Sequence, residues 1–310
     1  MNKLKIPLIA IIVLLASGLI LHTWLQAGES ADELILCGWD EVFILKSVGG
    51  DWRKPEKVWS WQAEDRNELP DSVKPRFGTT DECKPVDGGK EILITSSGGA
   101  VALVRRENGR VLFWGLADNA HSAELLPEGR IAVAASHKEG GRGDRLIIYD
   151  IASGGARELI SAELPWGHGV VWDEDRMLLW ALADRDIRVY RLKDWSSGYP
   201  FLERIGLIEL PERGGHDLYP VPGTPFLSVS TLTHCWLFDR DTRRIKPHPD
   251  LADKVHVKSI CVNPVTGQSA WIEAERPNWW AGKVLFCNPA DTLELPGERL
   301  YKARWNAAPR

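Results

Sequence analysis

The sequence predicts an all-β protein, and within that class a six-bladed β-propeller with four strands per blade. Three observations carry the prediction. After about residue 33 the apolar runs are short, rich in Val, Ile, Leu and Trp, and broken by Gly, Pro and Asp turns, the pattern of many short strands. A unit of two hairpins recurs along the chain, and recurrence separates a propeller from a sandwich or barrel. The leftovers at the two ends of the repeat complete one another.

The first segment stands outside the repeat. Lys3 and Lys5 precede an uncharged apolar run from Ile6 to Leu21, which reads as an export signal. Counted through Leu25 the run reaches roughly twenty residues, enough to span a bilayer. Ala27 can precede a cleavage site, although Leu25 fits poorly two places earlier. Residues 1–28 are therefore expected to be a signal peptide or a membrane anchor held by residues 6–25. Either way, the folded domain over 33–310 is expected outside the cytoplasmic membrane, periplasmic or secreted.

The first blade, 33–61, holds "ELILC" and "DEVFILKSVGGDWRKPEKVWSW" and lacks an innermost strand. The second, 79–115, pairs the inner hairpin "ECKPVDGGKEILITSS" with "GAVALVRRENGRVLFWG". The third, 119–160, pairs "AHSAELLPEGRIAVAAS" with "DRLIIYDIASGGARELI", and the fourth, 166–210, "GHGVVWDEDRMLLWALA" with "DIRVYRLKDWSSGYPFLERIGLI". The fifth, 214–248, pairs "GHDLYPVPGTPFLSVST" with "HCWLFDRDTRRIKPH", and the sixth, 256–297, "VKSICVNPVTGQSAWIEA" with "GKVLFCNPADTLEL". Residues 298–310 contain "ERLYKARWNAAP", one strand with no outer partners. It supplies what the first blade lacks and closes the ring, which hides sheet edges that an open sheet would have to protect.

The composition narrows the function classes. The formal net charge is -5 with Lys and Arg scattered, so there is no basic stripe to track nucleic acid. Five cysteines (37, 83, 235, 261, 287) lie mostly in apolar strand-like runs, as buried free thiols do, with room for at most two disulfides. Fifteen Trp residues suit strand-rich cores, and exposed ones suit stacking on sugar rings. No Gly-x-Ser-x-Gly elbow is present, which argues against a serine hydrolase.

The turns at Pro127 to Gly129, Pro222 with Gly223, and Pro264 with Gly267 resemble the Ser-Pro-Asp-Gly turn of WD40, YVTN and TolB-type propellers. On these turns and the repeat, the chain resembles a bacterial family of exported propellers of unknown function. The resemblance spans the folded region and implies an architecture. It departs from strict WD40 repeats, whose Gly-His and Trp-Asp pairs are irregular here, and it implies no activity.

Aligning the inner hairpins on their turns puts His121, His168 and His216 in one column. Lys258 shares it, as does Glu82 or its neighbour Asp81, and the last strand offers Lys302 or Arg304. The gaps between 82, 121, 168, 216 and 258 are 39, 47, 48 and 42 residues, one blade each. An innermost strand lines the channel and its first residue sits at one mouth, so these side chains are expected to converge there. Three imidazoles suit Zn, Mn or Fe, with Glu82 as further ligand or as base on bound water. A metal-free alternative uses His as general base and Lys258 or Arg304 to neutralise a carboxylate, as β-elimination from a uronic acid requires. Either fits a carbohydrate or another anionic small molecule, bound or processed by a polysaccharide or oligosaccharide lyase or hydrolase. Trp39, Asp40, Arg185, Trp279, Trp280 and Arg304 are expected to contact the substrate, since loops on one face of a rigid ring carry function. The competing expectation is a non-catalytic scaffold for envelope proteins. A site predicts side chains meeting at one cavity; a scaffold predicts each His bonded inside its own blade.

Overall fold

The computed structural model describes residues 31–153 and 157–307; the expected export segment lies outside them. Among the described residues no helix is long and apolar enough to cross a membrane. The fold is a six-bladed β-propeller of four-stranded antiparallel blades.

Blade 1 contains β1 (Glu33–Gly38), β2 (Glu41–Val48) and β3 (Asp51–Gln62). Blade 2 follows two short 3-10 turns and contains β4 (Thr80–Val86), β5 (Glu91–Ser96), β6 (Ala100–Arg105) and β7 (Val111–Leu116). Blade 3 is β8 (Ala120–Leu126), β9 (Arg130–Ala135), β10 (Arg145–Asp150) and β11 (Glu158–Glu163). Blade 4 is β12 (Gly169–Asp173), β13 (Leu178–Leu182), β14 (Asp186–Lys193) and β15 (Phe201–Glu209). Blade 5 is β16 (Asp217–Pro220), β17 (Phe226–Ser230), β18 (Cys235–Asp239) and β19 (Ile245–Pro247). Blade 6 is β20 (Val257–Val262), β21 (Ser269–Glu273), β22 (Lys283–Cys287) and β23 (Asp291–Glu294). The last strand, β24 (Lys302–Trp305), pairs with β1 through Leu34↔Trp305 and Cys37↔Lys302 and becomes the innermost strand of blade 1.

Strand side chains alternate between faces, so each blade offers one apolar face to either neighbour. The core therefore lies between blades. Trp61, Phe77, Ile92 and Ile94 fill the seam between blades 1 and 2, and Trp180, Val189, Leu218 and Phe238 the seam between 4 and 5. The closing seam, between 6 and 1, holds Phe43, Trp52, Phe286 and Trp305. Trp305 is almost wholly buried, and its Nε1–H donates to the Cys261 carbonyl across that seam at 3.1 Å. All five cysteines are free.

Candidate functional site

The six inner strands run in the same sense, from one face of the ring, the mouth, to the other, the base. A local device brings the chain onto each strand in blades 3 to 6. Asn119, Trp166, Gly214 and His256 have φ of 51°, 51°, 85° and 55°, and each lies two residues ahead of His121, His168, His216 or Lys258. Such left-handed residues turn the backbone sharply. In blades 2, 3 and 6 the register then slips, between Thr80 and Glu82, Ala120 and Ser122, and Val257 and Ser259. The extra residues are Asp81, His121 and Lys258. A β-bulge re-aims a side chain, and here it helps turn these three to the mouth.

The resulting ring is Asp81, His121, His168, His216, Lys258 and Tyr301, one residue per blade. The His121 and His168 rings stack at 4.3 Å between centroids, and His168 meets His216 edge to face at 5.0 Å. Lys258 Nζ lies 3.2 Å from His216 Nε2, so an ammonium there donates to a neutral imidazole. His168 Nδ1 donates to the Trp166 carbonyl at 2.8 Å. His121 Nδ1 approaches Asp81 Oδ1 at 3.5 Å, and Asp81 Oδ2 accepts from the Ser97 N–H. The His216 bond to Lys258 thus crosses to blade 6, while the 2.8 Å bond of His168 stays within blade 4. His121 Nδ1 and His216 Nδ1 have no hydrogen-bond partner among the described residues.

Burial sets the charge states. It lowers His168 to about 4 and pushes His121 and His216 well below the usual imidazole range, helped by neighbouring cations. All three are neutral at pH 7, so Asp81 and His121 form no strong ion pair. Burial raises Asp81 to about 7, against the opposing Ser97 hydrogen bond and Lys302 charge. Burial also lowers Lys258 to about 8, which Asp81 partly offsets. Asp81 and Lys258 are therefore the two members that titrate near neutrality, as acid–base chemistry requires.

Beneath the ring lies a closed ionic floor. Arg304 places Nε and Nη2 at 2.9 and 3.2 Å from the Glu82 oxygens, and Nη1 and Nη2 at 2.9 and 2.6 Å from those of Asp217. Lys302 Nζ sits 3.3 Å from Glu82 and 3.2 Å from Asp217, and donates to the His121 carbonyl at 3.1 Å. Burial works against each charge, but the pairing prevails: Glu82 is held well below the usual carboxylate range and Arg304 stays charged. Lower still, Lys84 bridges Glu124 at 3.1 Å and the Val170 carbonyl at 2.8 Å.

This arrangement corrects two expectations. Glu82 cannot serve as mouth ligand or base, because its carboxylate is wholly buried and held by Arg304 and Lys302. Asp81 takes the mouth position. Arg304, equally buried, neutralises Glu82 and Asp217 rather than a substrate. For the tri-histidine metal site, the His121 and His168 rings lie face to face and His216 meets His168 by its edge. Among the described residues no three His, Cys, Asp or Glu side chains form a metal-binding group.

Above the ring, a cavity of about 460 Å³ is lined by Asp81, His121, Lys258, Trp279 and Tyr301, with Thr79, Ser97, Asn119 and Lys138 completing its walls. Trp279 is 38% exposed and held by other aromatics. Trp39 stacks on it at 5.7 Å, while Trp280 and Tyr301 meet it edge to face at 5.3 and 5.7 Å. Arg299 covers Trp39 at 4.2 Å. Trp39 and Trp280 therefore support the platform that Trp279 presents. Asp40 and Arg185 are not brought to the cavity: Asp40 accepts from Gln62, and the exposed Arg185 lies 3.6 Å from Asp184. Tyr301 was not singled out by the sequence, although it precedes Lys302 as His216 precedes Asp217.

A family model matches residues 46–308, a span that includes all six ring residues. The chain belongs to DUF6528, a family of unknown function. The match begins within β2, so Trp39 falls outside it while Trp279, Trp280 and the closing strand fall inside. Comparison with curated proteins returns no match.

Proposed function

We propose that the mouth binds a small acidic carbohydrate. Lys258 neutralises its anionic group, Trp279 covers a ring face, and Asp81, His121 and the Thr79, Ser97 and Asn119 side chains exchange hydrogen bonds with its hydroxyls. The observation that carries this reading is that Lys258 and an exposed, braced Trp279 line one cavity. One further feature supports it: binding sites combine apolar walls with a few convergent polar groups, as Trp279 and Tyr301 stand here beside Asp81, His121 and Lys258.

The test is calorimetric titration of the full chain with hexuronic acids and their neutral hexose counterparts. Uronates should bind, neutral sugars more weakly, and Lys258→Met should abolish the difference between them. Trp279→Ala should weaken both. Equal binding of charged and neutral sugars, or an unchanged charge preference in Lys258→Met, refutes the proposal.

A further inference from the structure

Lys258 and Trp279 line a second cavity as well. It has a volume of about 510 Å³, and its other walls are His256, Ala274, Arg276, Pro277 and Asn278. Each cavity alone suits a small ligand, and together they approach the upper end of the usual range of about 300–1,000 Å³. The two differ in chemistry. The first mixes Asp81 and neutral hydrogen-bonding groups with its cations. The second has Arg276 and Lys258 on its walls and no carboxylate there. Its Arg276 belongs to the same loop as Trp279, between β21 and β22, and that loop is closed by backbone bonds from Glu275 to Trp280 and from Asn278 to Glu275. Trp279 and Arg276 are thus presented together.

We propose that the mouth takes an acidic oligosaccharide of at least two units, the first over Lys258 beside Asp81 and His121 and the second against Arg276 and His256. This rests on the acidic-carbohydrate reading above and extends it to chain length. Trp279 lies at the junction, where it contacts both units. The Arg276 guanidinium, in a cavity with no carboxylate among its described walls, suits a second carboxylate, and a charge-assisted contact of that kind contributes on the order of tenfold in affinity.

The experiment titrates the full chain with uronic acid monomers, dimers and trimers of several linkages, on the parent and on Arg276→Gln. Arg276 is exposed, so the substitution is compatible with folding, which a melting curve verifies. The expected result is that at least one dimer binds about tenfold tighter than its monomer, and that Arg276→Gln reduces this advantage to within about twofold. If monomers bind and no dimer gains, the two-unit inference is overturned while the binding reading stands. Should no uronate of any length bind, the binding reading itself fails. A dimer advantage that persists undiminished in Arg276→Gln overturns the assignment of the second cavity.

Discussion

Replacing Arg304 by Met tests whether the channel floor holds the ring together. The guanidinium makes four contacts of 2.6 to 3.2 Å to two carboxylates that are themselves closed to water. Its removal leaves Glu82 and Asp217 facing Lys302 alone, one negative charge in excess. Removing one partner of a buried ionic group costs about 3–5 kcal/mol, because the stranded charge keeps its desolvation penalty. At about 2–4 °C per kcal/mol for a large domain, the melting temperature should fall by roughly 6–20 °C. Arg304 belongs to β24, Glu82 to blade 2 and Asp217 to blade 5, so the loss should appear as easier opening of the ring. The assay is thermal unfolding at pH 7 of Arg304→Met, Glu82→Gln and the double variant. The double variant should lose less than the sum of the singles, since Glu82→Gln removes part of the stranded charge. A loss below about 1 kcal/mol in Arg304→Met, in the range of an exposed pair, would refute the reasoning.

Asp81→Asn should behave differently from Glu82→Gln. The raised Asp81 value means that its stabilising contribution is present below the unfolded value of 3.8 and is lost as pH rises through about 7. Urea titrations should therefore show Asp81→Asn gaining on the parent as pH climbs from 5 to 8, while Glu82→Gln is destabilised throughout. His168 has the opposite sign: with its value lowered from 6.5 to about 4, its contribution is present above 6.5 and lost as pH falls through 4. His168→Gln should remove about 1.4 kcal/mol per pH unit from the acid-side slope in that window. Lys258, lowered to about 8, should make uronate affinity fall as pH passes upward through 8, a dependence absent from Lys258→Met by calorimetry. Trp305→Ala should cost about 3–5 kcal/mol in urea unfolding, since it empties the closing seam and leaves the Cys261 carbonyl without its donor.

The blades were legible because each strand end is marked by turn chemistry and each blade repeats at a spacing of about one hairpin pair. The closing strand was legible because "ERLYKARWNAAP" has no outer strands of its own. The ring was legible in part. His121, His168, His216 and Lys258 follow comparable turns and fall into register by counting alone. Asp81 and Glu82 could not be separated that way, because the β-bulge between Thr80 and Glu82 adds a residue without any composition signal. Tyr301 escaped for a different reason: its strand has no hairpin of its own to align. The role of Arg304 was hidden by topology, since Asp217 lies on an inner strand of another blade across the channel, and no local pattern announces that pairing. Trp39 and Trp279 sit far apart in sequence and meet only because blades 1 and 6 are neighbours in a closed ring.

Both ends of the described chain leave from the base. The Asn306 N–H donates to the Glu33 carbonyl at 2.9 Å, and the Asn263 side chain donates to the Ala31 carbonyl at 2.7 Å, at the far ends of β24 and β20 from Tyr301 and Lys258. A tether joined directly at Ala31 or Ala307 therefore orients the propeller like a cup standing on its foot, open side outward. Protein captured on a sensor chip through a tag joined there will keep its cavities facing the flow, and a fluorophore placed on Lys138 at the brim will report on ligand without interference from the support.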